Sequence, residues 1–185
     1  MIDDTIKELE ESISKSHDAL RRDLARIRTG RASVTLLDGI KVNYYGTPTP
    51  LNQMATLAVP EPRLIVINPW DKNVLSDIEK AISGADLGLN PMNDGNIIRL
   101  PIPSLTEERR KELVKVVRRT GEDSKIAIRN HRRDAKEMLK SLQKDGEISE
   151  DDLHRAIDEV QKRTDEGTKK VDEMVQAKEK EVLEF

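Results

Sequence analysis

The sequence has no cysteine in its 185 residues, which excludes a disulfide framework and any thiolate metal site and fits a reducing cytosol. Aromatic residues make up only 2%, too few for a compact sandwich or barrel. No apolar stretch approaches the roughly eighteen residues of a membrane span. The N-terminus, "MIDDTIKELEESISK", lacks the basic start and apolar run of a secretory signal. A cytoplasmic protein without a membrane partner is expected. Phosphate-binding loops of the G-x-x-x-x-G-K-[ST] type, G-x-G-x-x-G runs and G-x-S-x-G elbows are all missing. His17, His131 and His154 stand far apart, without the second histidine at i+3 or i+4 of a zinc helix. These gaps lead us to expect no catalytic residue, no metal and no cofactor.

Charge is abundant instead. Asp, Glu, Lys and Arg account for 36% of the chain, with a net charge of -3, and their distribution is uneven. All eight prolines lie between Pro48 and Pro103, and residues 31–104 hold 13 charged residues in 74, against 54 in the other 111. Two kinds of chain are joined, with helical outer segments and a small mixed α/β unit between them. The expected division is residues 1–30 with 105–185, and 31–104 inserted.

In the first outer segment Ile2, Ile6, Leu9, Ile13, Leu20, Leu24 and Ile27 follow a spacing of three and four, with Ser16 or His17 filling the gap. The spacing returns through Leu113, Val117, Thr120, Ser124, Ile128, His131, Ala135, Met138 and Leu142, and again from Leu153 to Met174. Seams of about 3.5-residue period imply three long helices wound around one another. Ser104 or Thr106 offers an N-cap to the second helix, Gly146 stops it, and Ser149 caps the third. The short turn near Asp145 makes the last two helices antiparallel. The insert then hangs from two strands of backbone, Thr29, Gly30 and Arg31 on one side and Ser104, Leu105 and Thr106 on the other, a joint expected to act as a hinge.

Within the insert "IKVNYYG", "ATLAV" and "RLIVIN" read as strands and "NVLSDIEKAISGA" as a helix. "NIIRLPIP" reads as a strand near an edge, because Pro101 and Pro103 cannot donate to a ladder. Trp70, beside Pro69, fits a core anchor or a partner contact equally well.

One stretch stands out, "KIAIRNHRRDAKEMLK" at residues 125–140. A spacing of four and three from Lys111 leads through Lys115, Arg118, Glu122, Lys125, Arg129, Arg132, Lys136 and Lys140, a basic stripe interrupted by one acid. Residues 105–140 carry twelve basic and seven acidic side chains, and 141–185 carry eight and fourteen. The low overall charge therefore conceals a polarised helical unit, compatible with a nucleic-acid partner. The competing reading is a solvated face whose cations pair with acids on the neighbouring helix. Arginine dominates residues 129–133, however, and guanidinium is better matched to phosphate than lysine is. With so few aromatics, structured RNA read by phosphate position and shape fits better than single strands read by stacking. His131 falls on the apolar seam, where a packed, partnered ring is the simpler reading than a ligand. A helical adaptor for protein partners is the alternative function.

"RTGRAS", "YYGTPTPL", "DLGLNP", "LTEERRKEL", "RNHRRDA" and "KEKEVLEF", in this order over essentially the whole chain, resemble the bacterial ribosome recycling factor family. The resemblance implies an α+β, L-shaped, monomeric protein: an elongated antiparallel three-helix bundle with an inserted small mixed domain. It implies a non-enzymatic translation factor that, with elongation factor G and GTP, splits post-termination 70S ribosomes. Its bundle would lie on the rRNA of the 50S subunit. On that resemblance Arg129, Arg132 and Arg133 are expected rRNA contacts, joined by Lys125 and Lys136 of the same stripe. Arg28 and Arg31 match the "RTGR" motif and Arg110 the "EERR" motif, in contact or hinge roles. His131 departs from the aliphatic residue usual in the basic motif.

Overall fold

A computed structural model describes residues 1–184. In chain order the elements are α1 (Ile2–Arg26), β1 (Lys41–Tyr44), β2 (Thr47–Pro50), β3 (Ala55–Glu61), β4 (Leu64–Pro69), α2 (Leu75–Gly84), β5 (Met92–Asn93), β6 (Ile98–Pro101), α3 (Glu107–Lys144) and α4 (Glu150–Glu184). They form two compact units, Met1–Arg28 with Glu107–Glu184, and Thr29–Thr106.

The first unit packs α1, α3 and α4 around one seam. Its periodicity differs from the expected 3.5. Val117, Ile128 and Leu139 of α3 and Val160, Val171 and Val182 of α4 are all fully buried, eleven residues apart, and Leu9 and Leu20 of α1 repeat the interval. Eleven residues in three turns is about 3.67 per turn, close to the 3.6 of a straight helix, so no left-handed winding is required. Six turns beyond Val117, a 3.5-residue period arrives at Met138 and the longer one at Leu139. Met138 is 52% exposed and Leu139 is fully buried.

The gap in the α1 seam is filled by His17, whose Nε2–H donates to the carbonyl of Gly167 at 2.8 Å. Its neighbour Ser16 reaches the other helix, with Oγ 3.1 Å from His131 Nε2. The buried glycines of the helices mark close approach. A β-carbon at Gly121 would overlap Val175 Cγ2, and one at Gly167 would lie 2.9 Å from Ile13 Cγ2. Between α3 and α4 the chain turns in a Schellman motif: Glu147 N–H donates to the Leu142 carbonyl and Gly146 N–H to that of Gln143. Gly146 takes φ +78° there. Ser149 Oγ then accepts from Asp152 N–H at 3.1 Å and caps α4.

In the second unit β3, β4, β6 and β5 form an antiparallel sheet in that order, and β1 and β2 a separate hairpin. Val42, Ile65, Ile67, Ile78, Ile98 and Leu100 make its core with no exposed surface. β6 lies second from the edge, between β4 and β5. The two-residue β5 covers only its first half, Arg99 and Ile98, and Pro101 falls on the uncovered half, where no outer partner needs its donor. Trp70 is 69% exposed, which removes it from the core; its Nε1–H donates to Thr56 Oγ1 at 3.1 Å.

Candidate nucleic-acid interface

The basic stripe lies on α3, a helix of 38 residues and so about 57 Å long. Glu107 and Glu108 in its first turn favour the helix dipole. Antiparallel packing runs α4 beside α3, and the acids of α4 decide how much of the stripe remains positive.

Toward the start of α3 Lys111, Arg118 and Lys125 are taken up within the unit, while Lys115 and Arg119 form no ion pair among the described residues. Lys111 Nζ lies 2.8 Å from Glu107 Oε1. Arg118 donates through Nε and Nη2 to both carboxylate oxygens of Glu179, at 2.7 and 3.3 Å. Those hydrogen bonds raise the Arg118 pKa further above its ordinary value. Lys125, expected at the interface, is ion-paired with Asp172 of α4 and only 21% exposed at its side chain.

From residue 129 onward the pattern changes. Arg129 pairs with Glu122 of its own helix at 3.0 Å. Arg132 meets a neutral group, donating from Nη1 to Gln161 Oε1 at 3.4 Å. Arg133 approaches only Asp134, at 3.9 Å, with 65% of its side chain exposed. Lys136 and Lys140 form no ion pair among the described residues. Arg129, Asn130, Arg132, Arg133, Lys136, Glu137 and Lys140 line one shallow groove of about 360 Å³. It gathers five cations against one acid.

Such a groove suits phosphate. Guanidinium forks bind it bidentately and ammonium groups add point charge. No aromatic ring lines the groove, so it offers contact to backbone and shape in place of base stacking. A rim charge acts over only about 8 Å at physiological salt, so the five must work as neighbours.

The remaining expected residues sit elsewhere. Arg110 Nη1 donates to the Leu183 carbonyl at 3.1 Å, closing the last turn of α4. Arg28 and Arg31 are exposed and belong to different units; neither lines the groove. His131 lines a separate cleft of about 150 Å³ with Thr5, Leu9 and Met138, its ring partnered by Ser16. Asn130 and Glu137 were missed in the sequence, although both lie between cations of the stripe. Gln161 carried no signal at all, because its place depends on the register of two helices. Among the described residues no helix is long and apolar enough to cross a membrane, and no group of three or more His, Cys, Asp or Glu could hold a metal ion.

Comparison with known proteins gives a consistent result. Residues 20–183 match the family model described as ribosome recycling factor. The ribosome-recycling factor of Sorangium cellulosum (strain So ce56) is 59% identical over 184 residues, covering 100% of both chains. That of Myxococcus xanthus (strain DK1622) is 58% identical over 184 residues, with 100% of both covered. A solution structure of the ribosome recycling factor shares 42% identity at a TM-score of 0.73, covering 100% of this chain and 98% of its own. A further structure, a model of the T. thermophilus ribosome recycling factor with E. coli elongation factor G bound to the E. coli post-termination complex, shares 48% identity at a TM-score of 0.63, covering 99% of each chain.

Proposed function

The chain belongs to the ribosome recycling factor family, and on that premise we propose that the α3 groove docks its bundle on large-subunit rRNA in the post-termination ribosome. The relative bound together with elongation factor G on a post-termination complex supports the same two partners here, the 70S ribosome or its 50S subunit and the elongation factor. The protein itself acts by binding. GTP hydrolysis belongs to the elongation factor, which drives the subunits apart so that the ribosome can be reused. Thr29, Gly30, Arg31, Ser104, Leu105 and Thr106 stand at the ends of the second unit, where the chain passes to and from the bundle, and we assign the hinge to them, so that force applied to the second unit reaches the docked bundle. Family membership displaces the alternative of a non-ribosomal adaptor.

The observation that carries the docking surface is the groove at residues 129–140, where five cations face one acid. Four to six neutralised phosphates would give a log-log salt dependence with a slope of roughly -3 to -5. Sedimentation with 50S particles at two salt concentrations measures it. Reversing Arg132 to glutamate weakens that binding by about tenfold to a hundredfold, with helicity unchanged by circular dichroism. Unaltered binding of the reversed variant would remove the groove from the account.

A further inference from the structure

The register of α3 and α4 builds a ladder with a missing rung. Arg118 faces Glu179, and seven residues farther along α3 and seven back along α4, Lys125 faces Asp172. The next equal step brings Arg132 opposite Asp165. Seven residues fall about 20° short of two full turns, so the third position is rotated but stays on adjoining faces. An Arg–Asp pair belongs there by the logic of the first two, yet none forms among the described residues.

Gln161 stands between them. Its Oε1 accepts from Arg132 Nη1 at 3.4 Å, and its Nε2 donates to Asp165 Oδ1 at 2.8 Å. A side-chain amide holds an acceptor and two donors, so it can satisfy a cation and a carboxylate together without neutralising either. Gln161 precedes Asp165 by four residues on α4, one turn along the same face, which keeps that carboxylate occupied.

We propose that Gln161 is a positioning residue for phosphate recognition, engaging Asp165 so that the charge of Arg132 stays uncompensated. It steadies the guanidinium through one nitrogen and leaves the other N–H groups for a phosphate. A carboxylate at that point would compete for the same fork and cancel the field of the groove. The proposal rests on the groove being the docking surface.

The test compares 50S binding, by sedimentation at low salt, of the wild-type chain with Arg132→Ala, Gln161→Ala and the double variant Gln161→Ala/Asp165→Asn. Removing the amide frees Asp165 to close the third rung, so Gln161→Ala binds about two- to fivefold more weakly. Adding Asp165→Asn restores wild-type binding, a rescue that a merely structural glutamine would not show. Two results overturn the inference while leaving the groove intact: Arg132→Ala weakens binding but Gln161→Ala does not, or the weakened Gln161→Ala is not rescued by Asp165→Asn. If Arg132→Ala binds like wild type, the docking surface fails, and the role of Gln161 fails with it.

Discussion

The two ends of α3 are written in the same residue types, and they do different things. Between residues 107 and 125, Lys111 finds a carboxylate one turn back on α3 and Arg118 and Lys125 find one on α4, while Lys115 and Arg119 form no ion pair among the described residues. Between 129 and 140 the density of cations is similar, but α4 presents an amide in place of an acid to Arg132, and Lys136 and Lys140 form no ion pair among the described residues. A basic stripe therefore offers its charge to a partner only over the length that its neighbour leaves unanswered. Composition alone assigns both stretches the same role, and the partner helix separates them.

The comparison would collapse if uncompensated cations marked a loosely packed end, and the largest expected effect addresses that. Leu139 lies beneath the free cations and is fully buried. Leu139→Ala is expected to cost about 2–5 kcal/mol in urea unfolding. Met138→Ala, one residue away but 52% exposed, should stay within about 0.5 kcal/mol. The reverse order would restore the 3.5-residue seam and show that the end carrying the groove is not held as the paired end is.

That seam also shows what could be read from the chain alone. The bundle helices, the caps around Gly146 and Ser149, and an insert of strands with one helix follow from local periodicity and turn chemistry, and so were legible. Met138 against Leu139 was not, because a difference of 0.17 residue per turn becomes visible only after several turns. The inner place of β6 was hidden too: it depends on pairing between segments remote in sequence, with β4 on one side and β5 on the other. The stripe was visible as a whole, including Arg129, Arg132, Arg133 and Lys136. Its division was invisible, since the pairing of Lys125 and the sparing of Arg132 are set by which residues of α4 lie alongside.

A middle-sized effect sharpens the difference from the paired side. Gly121 lies where α4 comes closest, and a β-carbon there would overlap Val175 Cγ2. Valine is branched at Cβ and has few rotamers to retreat into. Overpacking typically costs about 1–3 kcal/mol, against a gain of about 1 kcal/mol from replacing a helical glycine by alanine. Gly121→Ala should therefore destabilise by up to about 2 kcal/mol while 50S binding is unchanged. Stabilisation would mean that α4 can move away, and with it the acids that answer Arg118 and Lys125.

The smallest effect compares the rungs directly. A double-mutant cycle on Arg118 and Glu179 should return a favourable coupling, because two donors meet the carboxylate at 2.7 and 3.3 Å and Glu179 is only 19% exposed. Arg118 lies at the surface, so the coupling is modest and shrinks as salt rises. The parallel cycle on Arg132 and Asp165 should return none, since Gln161 bonds to each and separates them. Equal couplings in the two cycles would make the third position an ordinary ion pair. The free charge of the groove would then rest on Arg133, Lys136 and Lys140, and the Arg132 fork would be lost from the surface offered to phosphate.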